Sequence, residues 1–341
     1  MLSRVAEALY WMSRYIERAE DITRMLSVNF DAMLETRLED EQLGWLPLIA
    51  ASADVDLFRA CFDHANAATA SEFLIWHPAN VNGVLACIHR ARENARSVRE
   101  QISTEMWAHI NRLYFLIKDV NRADVLRGPH DFFAAVRDGS QAFQGITAAT
   151  MTHGEAYEFI RLGMHLERAT ETVYTLDMKY SVVNTLAEGS PEANIQLIAM
   201  LKSCSAFEPF RRSYASQLQA WRVAEYLLLS AEFPRAVCFG LNHCLMSVNT
   251  ISGMGLGISL GMNRPAPGAL TAPQRSFGRL AAELEYLDIH EVLGAAFHPY
   301  LHSLAQRITA AGEDVARAYF NTQVILAEPD MQPPQQQQQQ Q

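Results

Sequence analysis

Apolar residues recur along this chain at steps of three and four. Leu2, Val5, Leu9, Met12, Ile16, Ala19, Thr23, Leu26 and Phe30 trace one stripe, with the period of about 3.5 residues that marks a helix face. The spacing predicts a first helix over 3–38. Phe159, Leu162, Leu166, Ala169, Val173, Leu176 and Tyr180 repeat the rhythm within a second long helix over 152–186. Between and beyond them, helices are expected over 54–74, with Leu57, Cys61 and Phe73 inward, and along Val84 to Ile102. Further helices are expected from Ser103 or Thr104 to Lys118, and over 130–148, 192–205, 210–230, 234–250, 275–289 and 293–325.

The breaks have physical causes. A residue before proline avoids the helical region, which punctuates His77-Pro78-Ala79-Asn80 and Arg127-Gly128-Pro129. Ser190-Pro191 reads as a cap followed by proline at the first helical position. The stretch from Gly253 to Pro273 is the longest loop. No segment alternates as a strand should. The expected fold is therefore all-α, a single multi-helix bundle over 1–327 with two similar long helices. The Pro/Gln tail, 328–341, lacks apolar surface to bury and is expected to be disordered.

Both long helices carry Glu-Arg-Ala at the same phase of the stripe, Glu17-Arg18-Ala19 and Glu167-Arg168-Ala169, 150 positions apart (167 − 17). Each Glu and Arg borders the packed face. Two readings stand side by side. In one, they belong to surface ladders, since Arg14 and Glu17, Arg18 and Asp21, and Glu20 and Arg24 are three or four residues apart. In the other they are shared across a helix interface or line a polar cleft, with Glu17 or Glu167 as candidate acid or base.

Composition narrows the functions. A 49% hydrophobic content suits a globular core, and a net charge of −10 argues against a nucleic-acid surface. Cys61, Cys87, Cys204, Cys238 and Cys244 are scattered, without Cys-x-x-Cys pairs, so a reducing cytoplasm is expected. Charges at Arg4 and Glu7 interrupt the N-terminal apolar stretch, unlike a secretory signal, and no run is long enough for a membrane span.

Several chemistries lack their parts. A di-metal carboxylate bundle needs Glu-x-x-His on two helices, and no Glu starts one here. His298 and His302 share a helical face but offer only two ligands, so no metal is expected. Gly257-Ile258-Ser259-Leu260-Gly261 matches a nucleophile elbow with Asp288 and His298 downstream, but without the sheet that an elbow requires. No glycine-rich phosphate loop is present, so no cofactor is expected in this chain. The better polar candidates are arginines. Arg92, Arg96 and Arg99 lie on one helical face, with Arg90 beside them, and suit carboxylates or phosphates unless they form a solvated face neutralised by Glu93 and Glu100. Arg211, next to Arg212, and Arg235 add two more sites. Converging with Glu17 and Glu167, these would make an acid and guanidinium cleft fitting an amino acid or peptide end.

Dense motifs resemble the bacterial alpha-E family: Leu2-Ser3-Arg4, Leu9-Tyr10-Trp11, Arg14-Tyr15, Glu17-Arg18-Ala19-Glu20 and Arg24; Ala91-Arg92-Glu93-Asn94-Ala95-Arg96 through Trp107; Leu162-Gly163 with Leu166-Glu167-Arg168-Ala169; then Arg211-Arg212, Tyr214 and Phe233-Pro234-Arg235. Ala236 departs from the serine expected there. The resemblance implies a helical protein encoded with, or fused to, a circularly permuted ATP-grasp protein, and often a transglutaminase-like protein. It implies an accessory or substrate-binding subunit of an ATP-dependent amide ligase, of peptide or glutamate-cysteine type, with ATP and magnesium held by the partner. Arg14, Arg18, Arg92, Arg96, Arg99, Arg168, Arg211 and Arg235 would then hold a carboxylate-bearing amino acid or peptide. An enzyme in its own right and a purely structural scaffold are the alternatives.

Overall fold

A computed structural model describes residues 1–35, 41–214, 218–253 and 270–320. No strand occurs among them, and the helices run in the order α1 (Ser3–Glu35), α2 (Gln42–Ser52), α3 (Val55–Cys61), α4 (Ala67–Ser71), α5 (Val84–Ser97), α6 (Thr104–Lys118), α7 (Arg122–Arg127), α8 (His130–Thr150), α9 (Glu155–Val183), α10 (Pro191–Ser203), α11 (Phe207–Tyr214), α12 (Ala220–Leu229), α13 (Val237–Ile251), α14 (Ala272–Tyr286) and α15 (Phe297–Val315). The Pro/Gln tail and Ser259 lie outside the described residues.

Caps explain where the helices start. Ser103 and Ser190 accept hydrogen bonds from the Met106 and Ala193 amides, and Thr271 and Gln274 form a capping box. The single helix expected over 54–74 is instead two. Asn66 and Thr69 form a capping box that restarts the chain at α4, whose last turn widens into a π-turn over Glu72–Trp76. In α3 the inward residue is Phe58, whereas Cys61 is exposed and Leu57 only half-buried. Leu2, placed on the buried stripe by its spacing, lies before α1 and is 64% exposed.

Packing follows a repeat. α1 rests on α5, α5 on α6, α6 on α8, and α8 returns to α1; α9 rests on α13, α13 on α14, α14 on α15, and α15 returns to α9. These two four-helix rings meet where α1 packs on α9. The sequence carries the same duplication: Glu72-Phe73-Leu74-Ile75 corresponds to Glu225-Tyr226-Leu227-Leu228, and Val84, which opens α5, to Val237, which opens α13. The α1 and α9 axes run parallel, because Tyr10 lies beside Gly163, Arg14 beside Glu167 and Met25 beside Thr175. A Cβ on Gly163 would sit 2.4 Å from the Tyr10 carbonyl oxygen, so glycine is what allows the two backbones to close here. Both helices are buried nearly all round at their centres, so many of the polar residues there face the protein interior.

Candidate functional site

The α1–α9 seam is polar at its centre. Ser13, Glu17, Glu20, Asp21 and Arg24 share one side of α1 and are buried, as are Glu167 and Arg168 on α9. The surface-ladder reading is thus overturned: both Glu-Arg pairs sit inside the protein, between the rings. Arg168 Nε donates to Glu17 Oε1 at 2.6 Å, and Arg18 Nε donates to Glu167 Oε1 at 2.6 Å. Each carboxylate is held by the arginine of the other pair. An ion buried alone costs several kcal/mol, so the crossed arrangement is what makes the seam tolerable.

Around Glu17 the network is closed. Gln144 of α8 donates to Glu17 Oε2 at 2.5 Å and accepts from Arg168 at 2.6 Å. Arg235, two residues before α13, reaches Glu17 at 3.1 Å and Asp21 at 2.5 Å and also pairs with Glu20, which Arg24 meets from its other side. Burial would raise the Glu17 carboxyl, but Arg168 and Arg235 outweigh it and hold the group below its ordinary value. Burial pushes Asp21 up to about 8 despite Arg235, with Glu17 adding to the rise. Burial and Arg235 pull Arg24 down to about 9. Glu17, Glu20 and Asp21 bring carboxylate oxygens within 4.8 Å of one another, a spacing that suits a cation. The Arg235 guanidinium already occupies that role.

Around Glu167 the network is open. Arg14 and Arg18 both donate to its carboxylate, each at 2.6 Å, and Arg18 also donates to Asn82 at 2.9 Å. Arg14 reaches the Tyr10 hydroxyl at 2.9 Å and lies over the Trp11 ring. Burial raises the Glu167 carboxyl, and Arg14 and Arg18 more than reverse it. Above them lies a cleft of about 400 Å³ whose walls include residues 50–53 at the end of α2, Asn82, Thr170, Glu171, Tyr174 and Thr309. The half-buried Glu171 has no hydrogen bond or ion pair among the described residues. Burial, reinforced by Glu167, pushes its carboxyl up to about 8.

Arg14, Arg18, Arg168 and Arg235 therefore converge on Glu17 and Glu167, while the other expected arginines do not. Arg92 binds Asn111 at 2.7 Å and Glu93 at 3.0 Å, the exposed Arg96 also pairs with Glu93, and Arg99 stacks over Trp107. Arg90 lines a separate cleft with Trp11, Tyr15 and His89. Arg211 is exposed and lies over Phe207. The solvated-face reading fits Arg96, which is exposed and pairs with Glu93 of its own helix, whereas Arg92 is partly buried against Asn111 of α6. His298 and His302 also part company, His298 meeting Asp177 at 2.5 Å and His302 meeting Gln306 at 3.0 Å.

An acid or base role for Glu17 or Glu167 needs a carboxyl held near neutrality, and both are held low. The groups raised toward neutrality are Asp21 and Glu171. Glu20 and Asp21 were named as neighbours of the first Glu-Arg pair; Glu171, at the matching place after the second, was missed, and Gln144 of α8 and Asn82 before α5 carry no local signal. Ala236 is the residue before α13 and offers no side-chain cap. A serine there would sit at a helix N-cap, a structural role for the hydroxyl.

An all-helical bundle built on crossed Glu-Arg pairs is the class this seam defines. The family described as a predicted alpha-helical domain with a conserved ER motif, Alpha-E, matches residues 1–320, and the chain belongs to it. Curated relatives include uncharacterized proteins of Mycobacterium bovis and Mycobacterium tuberculosis, each 24% identical over 347 residues, an alignment covering 95% of this chain and 37% of the relative. The chain thus spans well under half the length of these relatives. No solved structure matches it. No helix among the described residues is long and apolar enough to cross a membrane.

Proposed function

We propose that this chain is the accessory, substrate-binding subunit of an ATP-grasp-dependent amide ligase system, and that it holds a carboxylate-bearing amino acid or peptide in the cleft over Glu167. The observation that carries the binding role is that two guanidinium groups, Arg14 and Arg18, share one carboxylate at the wall of an open cleft. Two cations against one anion leave positive charge facing the cavity, in a geometry suited to a second carboxylate. The closed Glu17 side offers no such room and acts as the structural core of the seam. The ligase context rests on the resemblance, with ATP and magnesium supplied by the partner. The much greater length of the mycobacterial relatives supports it, since it leaves space for a further domain on the same polypeptide.

The test is reconstitution. The chain is combined with its ATP-grasp partner and ADP release and amide formation are followed with amino-acid substrates. The proposal expects turnover that needs both proteins and falls at least tenfold with Arg14→Lys, which keeps charge but loses the guanidinium fork. Turnover by the partner alone at the full rate, or by this chain alone, would overturn it.

A further inference from the structure

The two halves of the seam can be superposed in sequence, and they differ where Glu20, Arg24 and Arg235 of the closed half correspond to Thr170, Tyr174 and Asn82 of the open one. Asp21 and Glu171 follow their Glu-Arg pairs at the same distance, and Arg235 and Asn82 each stand two residues before an equivalent helix, α13 or α5. In the closed half the Arg235 guanidinium lies on Asp21. In the open half Asn82 is too short to do the same, and its side-chain oxygen is taken by Arg18. Asn82 and Glu171 both line the cleft, and Glu171 has no hydrogen bond or ion pair among the described residues.

We propose, building on the carboxylate-binding reading above, that the cleft takes an amino-acid zwitterion whose ammonium group rests on Glu171, in the place that Arg235 fills against Asp21. The cleft is polarised to match. Arg14 and Arg18 present excess positive charge beside Glu167, and Glu171 supplies a carboxyl that an ammonium group can ionise. The charged and titratable groups facing Glu171 are Glu167 and Tyr174 on its own helix, Arg14, Arg18 and Asp21 on α1, Cys87 on α5 and, across a small void shared with Asp21, Arg235. The cleft walls at the end of α2 and on α15, residues 50–53 and Thr309, add no charge. With the Glu171 carboxyl raised to about 8, an arriving ammonium group ionises it and displaces a proton at neutral pH.

L-glutamate and glutarate differ in the ammonium group alone, and both are titrated calorimetrically into the full chain at pH 8. The expected result is binding of both, with L-glutamate at least tenfold tighter. Glu171→Gln should erase the preference while glutarate still binds. Asn82→Arg, which keeps Glu171 but supplies the guanidinium that Arg235 provides in the other half, should erase it too, and it serves if the first variant fails to fold. Equal affinities in the native chain, or a preference surviving either substitution in a folded protein, would overturn the ammonium site while leaving carboxylate binding intact. Binding of neither probe would overturn both readings.

Discussion

Glu17 and Arg168 meet at 2.6 Å in the middle of a seam between two parallel helices, and neither side chain is more than a tenth exposed. The mirrored contact, Arg18 on Glu167, stands beside it at the same distance. A carboxylate here neutralises more than one buried cation, so its loss strands charge in a dry environment. Glu17→Gln is expected to lower stability by about 3–5 kcal/mol, the range for breaking a buried pair from one side. Urea unfolding measures it. The double variant with Glu167→Gln should depart from the sum of the singles by more than about 0.5 kcal/mol, because the two carboxylates share one seam. Sub-kilocalorie, additive losses would indicate solvent-screened pairs.

Gly163→Ala tests the seam without touching charge. The added methyl would collide with the backbone carbonyl of Tyr10, which belongs to a helix packed on several sides and cannot swing away as a side chain can. The expected loss is about 1–3 kcal/mol, the usual cost of overpacking, read by thermal or urea unfolding. Gly145→Ala is the control: its Cβ would meet nothing within 4 Å, and it should be neutral or stabilising.

Stability should also respond to pH through Glu171. Its folded carboxyl is raised from 4.5 to about 8, so between those values the folded state keeps a proton that the unfolded state has released. Stability from this group is complete below about pH 4.5 and is lost as pH climbs toward 8. Glu171→Gln removes that slope. Its stability relative to the native chain should therefore rise steadily from pH 5 to pH 8, in a series of urea melts without added ligand. A constant difference over that window would mean that Glu171 is ionised throughout.

The helical fold was legible because periodic apolar spacing survives in nearly every element, and Ser103 and the Ser190-Pro191 pair announced two helix starts. The split at Asn66 was not, because Asn66 and Thr69 act through hydrogen bonds that leave the apolar rhythm around Phe58 and Phe73 undisturbed. At the site, the shared phase of Glu17 and Glu167 left a surface ladder and a shared interface or cleft side by side, and Arg14, Arg18, Arg168 and Arg235 meet there on the two carboxylates. Arg92, Arg96, Arg99 and Arg211 did not join them, since a run of arginines on one helix face looks the same in sequence whether it faces water or a cleft. Asn82 and Gln144 were invisible for the opposite reason: each matters only through a distant carboxylate or guanidinium. The duplication that pairs Asn82 with Arg235 is written in Glu72-Phe73-Leu74-Ile75 and Glu225-Tyr226-Leu227-Leu228, but it became readable only once both rings were seen to close in the same order.

Arg14 and Arg18 line the open cleft, whereas Arg168 and Arg235 are buried in the closed half of the seam. The arginine Nε–Hε resonances of the labelled protein report on each guanidinium separately, and glutarate is the titrant. The account predicts saturable shifts for Arg14 and Arg18 with those of Arg168 and Arg235 unmoved. Shifts spread equally over all four, or none up to saturating glutarate, would contradict it.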